Sequence, residues 1–119
     1  LLGTMAQESH LGTYLFQVRG PAIGPFQMEP ATFDWLQARY GDRYPFIQNR
    51  TADEMKTDLR LAIIMARLRY RVVVFPLPDP TDVVAMAEYW KKWYNTALGA
   101  GKPAEFVDNY RKFVTGGTA

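Results

Sequence analysis

The chain contains no cysteine. That excludes a disulfide, a thiolate nucleophile and any cysteine-based metal site, and leaves the fold indifferent to redox compartment. It contains one histidine, His10. A zinc centre usually needs several nitrogen or sulfur ligands, so the sequence argues against one and implies no cofactor. Long apolar runs are missing too: Leu61 to Met65 and Val72 to Phe75 are the longest candidates, both flanked by arginines and far short of the ~20 residues a bilayer span needs. No membrane insertion is expected. The net charge of +2 is small, and nucleic acid is not the expected partner. A pI near 9.0 leaves a mildly basic surface that suits an anionic polymer. The chain opens on Leu1-Leu2-Gly3-Thr4-Met5 without a basic signal start or a helix cap, so further residues are expected upstream.

What remains is a core-forming composition. At 119 residues, 48% of them apolar, the chain is long enough for one domain over residues 1–119 and short for two. Leu1, Met5, Glu8 and Gly12 fall on one helical stripe, which places an acid on the inward-leaning face, with Gly12 as terminator. Tyr14, Phe16 and Val18 alternate with polar neighbours before Gly20-Pro21 and Gly24-Pro25, a pattern of short extended pieces and turns. Pro30 opens a helix carrying Phe33, Leu36 and Tyr40, which Gly41 closes. Thr51-Ala52-Asp53-Glu54 reads as a capping box for the longest helix, with Met55, Leu59, Ala62, Ile63 and Ala66 as its core face. Another helix spans about Pro80 to Asn95, with Val83, Met86, Ala87, Trp90 and Tyr94 inward. A last one starts near Pro103 and carries Phe106, Val107, Tyr110 and Val114. The expectation is a mostly α fold of about five helices, with a small irregular or β-like insertion after the first.

Glycoside cleavage needs a carboxylic acid still protonated near neutral pH, and partial burial beside apolar groups supplies it. Glu8 fits that description by position, although a glutamate on a helix more often faces solvent. The following segments sharpen the reading. Glu8-Ser9 near a helix end is followed by Gly24, Gln27-Met28 and Pro30-x-Thr32, and later by Tyr94-Asn95-Thr96 with Gly99-Ala100-Gly101.

In that order and spacing the chain resembles the lytic transglycosylase family of the lysozyme-like superfamily; more specifically, Glu8-Ser9-His10-Leu11-Gly12, Gly20-Pro21-Ala22, Phe26-Gln27-Met28-Glu29-Pro30-Ala31-Thr32 and Tyr89-Trp90-Lys91 with Tyr94-Asn95-Thr96 resemble a group of small phage and prophage proteins that carry this domain. The family pattern has Leu-Met before the glutamine where this chain has Pro25-Phe26, so the cleft floor is shaped differently here. The resemblance implies an α+β lysozyme-like fold and a peptidoglycan-cleaving glycosidase, with Glu8 as general acid and base at the bond between N-acetylmuramic acid and N-acetylglucosamine. It implies substrate-binding roles for Ser9, Phe26, Gln27, Tyr94 and Asn95. The partner would be the glycan strand of peptidoglycan, with other phage structural proteins as further candidates. The place of action would be a virion or the cell wall after phage-dependent delivery.

Two alternatives stay open. A hydrolase of the lysozyme type would show a second carboxylate, for which Glu29 and Asp34 are nearest in sequence, Glu29 also suiting a helix N-terminus. A virion structural or glycan-binding module would keep the fold without turnover. Ser9 is expected to orient Glu8 rather than to act as a nucleophile with its neighbour His10. Trp35, Trp90, Trp93, Tyr89 and Phe26 could stack on sugars, Trp93 best because it lies off the Trp90 and Tyr94 stripe, although aromatics at helical spacing are mostly core. Arg60, Arg67 and Arg71 form a basic stripe that reads as a solvated helix face.

Overall fold

A computed structural model describes residues 1–12, 22–95 and 101–116. Among these residues five α-helices follow in chain order: α1 (Leu2–Ser9), α2 (Pro30–Tyr40), α3 (Leu59–Arg71), α4 (Val83–Trp90) and α5 (Pro103–Phe113). Short 3-10 turns cover Pro45–Ile47 and Ala52–Lys56, and a π turn, Lys91–Asn95, extends α4. Among the described residues there is no strand; the one pairing of β type is an isolated antiparallel bridge between Ile23 and Met28. The fold is therefore mostly α. No described helix is long and apolar enough to cross a membrane. The expected alternation of Tyr14, Phe16 and Val18 lies outside the described residues.

Two apolar clusters organise the molecule. The larger joins Phe26 and Met28 to Phe33, Leu36 and Tyr40 of α2, to Ile47 and Met55, and to Leu61, Ala62, Met65, Ala66 and Leu68 of α3. The smaller holds Ala87 and Trp90 of α4 against Phe106 of α5. Tyr94 packs on both, and α1 lies against α5.

Local sequence accounts for most of this. Pro30 occupies the first turn of α2, where its missing N–H is not needed, and Phe33, Leu36 and Tyr40 are buried as their spacing requires. Gly41 follows as the cap, its N–H on the Gln37 carbonyl at 2.8 Å. Val83, Met86, Ala87, Trp90 and Tyr94 do turn inward, although α4 starts at Val83 behind an Asp82 cap rather than at Pro80.

Three expectations need correction. The Thr51–Glu54 capping box exists, but it heads the 3-10 turn Ala52–Lys56; α3 begins three residues after that turn, where Asp58 accepts the N–H of Leu61 at 3.0 Å. With that start, α3 buries Leu61, Met65 and Leu68 beside Ala62 and Ala66, and leaves Leu59 and Ile63 exposed. Apolar residues surround much of this helix, so periodicity alone admitted a face turned away from the true one.

The first helix ends at His10, not at Gly12. His10 and Leu11 adopt left-handed φ angles of 51° and 56°, and their N–H groups return to the carbonyls of Ala6 and Met5, a left-handed closure of the helix end. The inward face of α1 is made of small residues, Gly3, Thr4, Ala6 and Ser9, while Leu1 and Leu2 are exposed. Packing explains why. A β-carbon on Gly3 would lie 2.4 Å from Phe106 Cζ, so glycine is what lets α5 approach, and Asn109 of α5 donates to Gln7 Oε1 at 2.7 Å beside it.

Candidate active site

Glu8 sits in the last turn of α1, the helix held between α5 and the larger cluster. Its side chain is mostly buried. Trp90 Nε1–H, from α4, donates to Glu8 Oε1 at 3.1 Å. Burial penalises the carboxylate and is the larger influence; the indole N–H favours the charged form and opposes it. The balance pushes Glu8 from an ordinary 4.5 up to about 7. An acid so placed holds its proton near neutral pH and can also give it up, the requirement for general acid and base work.

The surroundings of Glu8 are phenolic. Tyr94 and Tyr70 stack with centroids 5.2 Å apart, and both are pushed well above the ordinary tyrosine value, first by burial and further by the nearby Glu8 charge. The two hydroxyls are already engaged: Tyr70 shares a 2.6 Å hydrogen bond with Thr4 Oγ1, and Tyr94 donates to the Phe26 carbonyl at 2.7 Å. Arg69 lies across the Tyr94 ring, 5.9 Å from guanidinium carbon to centroid.

The turn Gly24–Gln27, bounded by the Ile23–Met28 bridge, faces α1. Ser9, fully buried, donates its hydroxyl to the Pro25 carbonyl at 2.5 Å and accepts the Gly12 N–H at 2.8 Å. Consecutive carbonyls of this turn are thus held by Ser9 and Tyr94, from two different helical segments. Gln27 has a left-handed φ of 47°, uncommon outside glycine, and its amide donates to the Gly24 carbonyl at 2.9 Å.

The site residues named from sequence divide accordingly. Glu8, Ser9, Phe26 and Tyr94 are brought together. Ser9 does not orient Glu8, as expected of it; its hydroxyl is used on backbone groups of the turn, which also leaves no Ser9-His10 nucleophile. His10 instead stacks on Phe113 at 4.9 Å. Phe26 is 4% exposed, its ring part of the larger cluster, so its carbonyl rather than its ring belongs to the site. Asn95 closes the π turn and accepts Lys91 Nζ at 2.8 Å. Glu29 stands exposed at the N-cap of α2 and Asp34 is exposed further along that helix, and neither enters the hydrogen bonds around Glu8. Thr96, Gly99 and Ala100 lie outside the described residues.

Trp90 is the residue that the sequence reading placed in the core and the structure places also at the acid. It is 1% exposed, so core is correct; its N–H is what spacing does not reveal. Trp93 is half-buried against Phe75 at 5.2 Å, with Lys92 over its ring, and Trp35 is exposed beneath Arg39. Of the arginine stripe, Arg67 and Arg71 are exposed and Arg60 lies over Phe46, as a solvated face would have it. Among the described residues no three His, Asp or Glu side chains cluster to hold a metal ion. No family model, curated protein or solved structure matches the chain.

Proposed function

We propose that this protein is a glycosidase of peptidoglycan, a lytic transglycosylase of lysozyme-like type, with Glu8 as its acid and base. The observation that carries the reading is the placement of Glu8: desolvated, raised to about 7, and contacted, among the described residues, by one N–H donor rather than by a compensating cation. A buried carboxyl of this kind is costly to keep and serves little structural purpose, because burial disfavours the charged form without an ion pair in return. Its neighbours in the resemblance, Ser9, the Gly24–Gln27 turn and Tyr94, support it: they converge on one another by hydrogen bonds and frame the helix end that bears the acid.

In the proposed reaction, Glu8 protonates the glycosidic oxygen after N-acetylmuramic acid as the C1–O bond breaks. The resulting carboxylate then takes the proton of the same sugar's 6-hydroxyl, whose oxygen closes on C1 to give a 1,6-anhydro end. One carboxyl performs both steps. Hydrolysis commonly uses a second carboxylate across the cleft, and among the described residues neither Glu29 nor Asp34 enters the hydrogen bonds around Glu8. Ser9 and Phe26, both buried, then act by shaping the turn together with Tyr94, whose hydroxyl is taken up by the Phe26 carbonyl, and Gln27 and Asn95, both partly exposed, are the groups that would meet sugar.

The test is to digest purified peptidoglycan with the protein and with Glu8→Gln, and to weigh the released muropeptides by mass spectrometry. Anhydro-muropeptides from the wild type and none from the variant are expected. Products one water heavier would make it a hydrolase. Absence of fragments from a folded wild type on several wall types would overturn the enzyme reading in favour of a structural or glycan-binding module.

A further inference from the structure

Ser9 follows the acid directly and was the natural choice to orient it, yet its hydroxyl is used on the Pro25 carbonyl and the Gly12 N–H. The group that does touch the carboxyl comes from α4, 82 residues along the chain. We propose that Trp90 is the positioning residue for Glu8, and that by occupying Oε1 with its N–H it assigns the acid proton to Oε2, the oxygen left to face the reacting bond. This inference rests on the glycosidase reading for its consequence but not for its geometry.

An indole N–H can donate and can never accept, so the oxygen it meets must act as acceptor. A neutral carboxyl has one hydroxyl oxygen, which carries the proton, and one carbonyl oxygen, which is the better acceptor. With Oε1 fixed as the acceptor at 3.1 Å, the hydroxyl of the neutral acid is Oε2. After proton transfer the same N–H stabilises the charge left on the carboxylate, and it does so without moving.

The indole is held for this purpose on several sides. It is 1% exposed, packed on Phe106 with centroids 5.4 Å apart, and clustered with Ala87. On a further side the Trp90 ring rests against Gly101: a β-carbon there would lie 2.4 Å from Cη2 and 3.1 Å from Cζ2. Real β-carbons do not approach so closely, so an alanine at 101 must displace the ring. Gly101 thus acts on the acid through Trp90. The other titratable groups close to Glu8 are the Tyr70 phenol from α3 and the Tyr94 phenol from the π turn, both kept neutral by burial, with Arg69 across the Tyr94 ring. Neither phenol changes charge in the range where Glu8 titrates.

The experiment replaces Trp90 site-specifically by 3-benzothienylalanine, which keeps the ring outline and has sulfur in place of N–H, alongside Gly101→Ala. Circular dichroism melts establish folding. Glu8 is titrated directly by carboxyl carbon NMR, its signal assigned by its loss in Glu8→Gln. Removing the donor should raise the Glu8 titration by about one pH unit, since hydrogen bonds to charged groups are worth that much or more. On peptidoglycan, kcat should fall by roughly tenfold with KM unchanged and the alkaline limb of the pH profile displaced upward, as expected for a contact made to the acid and not to the sugar. Gly101→Ala should move both quantities in the same directions.

An isostere that leaves the titration and kcat where they were would reduce Trp90 to a packing residue and overturn the proposal. The two readings fail separately. If the wild type releases no muropeptides but the titration moves as stated, the assignment of Oε2 stands and the glycosidase reading falls. If muropeptides are released and the titration does not move, the reverse holds.

Discussion

Replacing Glu8 by glutamine should make the protein more stable at alkaline pH and leave it little changed at acidic pH. The cause is linkage between proton binding and folding. In the unfolded chain Glu8 releases its proton near 4.5, whereas the folded protein retains it until about 7. Between those values the folded state binds one proton more than the unfolded state, so stability falls as pH rises through the window. Below 4.5 both forms are protonated and the stability is fully present; above about 7 it has been lost. The displacement from 4.5 to about 7, at about 1.4 kcal/mol per pH unit, amounts to about 3 kcal/mol.

Glutamine has no charge to desolvate and keeps a carbonyl oxygen for the Trp90 N–H, so it removes this dependence. Any cost of its extra amide donor is the same at every pH and cancels when the difference between wild type and variant is followed across pH. For a chain of this size the alkaline advantage corresponds to a Tm difference of roughly 10 °C. Melts of both proteins by circular dichroism from pH 4 to 8.5, backed by urea denaturation, measure it. A difference that is flat across that range would mean that Glu8 titrates in the folded protein as it does in the unfolded chain, and the burial argument for the site would fail with it. No substrate is needed, so this outcome is independent of the assigned activity.

Other perturbations probe what holds the site together. Tyr94→Phe removes the donor to the Phe26 carbonyl and should cost about 1–3 kcal/mol, read by urea denaturation, with amide shifts in NMR confined mainly to residues 24–28. Unchanged stability would show that water or another donor satisfies that carbonyl. Gly3→Ala places a methyl 2.4 Å from Phe106 Cζ and should destabilise by about 1–3 kcal/mol through overpacking of α1 on α5, whereas helix propensity alone would make the same change stabilising by up to about 1 kcal/mol. The sign of the measured change therefore decides between packing and propensity.

How much of this was legible beforehand varies by element, for physical reasons. α2 could be read almost to the residue because its punctuation and its stripe agree: Pro30 at the start, Gly41 at the end, and Phe33, Leu36 and Tyr40 on one face, with Trp35 the one large aromatic off it. The inward set of α4 was readable for the same reason. α3 misled because Leu59, Ile63 and Ile64 are as apolar as the residues it buries, so the choice of face rests on tertiary contacts and on the Asp58 cap that starts the helix. α1 misled in the opposite way: periodicity weighs side-chain size, while this helix is placed by what Gly3 lacks. In the site, Glu8 could be singled out because motif and helical position coincide. The roles of Ser9 and Phe26 could not, since each turns on a backbone carbonyl, and a sequence carries no record of which carbonyls are left in need of a donor.

The same distinction explains why the acid can be both buried and precise in its placement. A carboxyl near the end of a short helix would ordinarily fray toward water with the last turn, because terminal carbonyls and side chains there gain solvent at little cost. Here that escape is closed from three sides. The left-handed closure at His10 and Leu11 fixes the backbone just beyond Glu8, Ser9 ties that turn to Pro25, and the Gln7–Asn109 hydrogen bond with the Gly3–Phe106 contact clamps the helix to α5. Ionising Glu8 therefore cannot be relieved by local unwinding without breaking several of these contacts together. The roughly 3 kcal/mol of desolvation remains expressed as a raised pKa, where it is available to chemistry, instead of being dissipated in a frayed helix end. Loosening any one tie should lower the Glu8 pKa toward 4.5 even where the carboxyl and Trp90 are untouched. Ser9→Ala, which frees both the Pro25 carbonyl and the Gly12 N–H, is the sharpest such change, and a Glu8 titration unmoved in that variant would show that burial by α4 and α5 suffices without the turn.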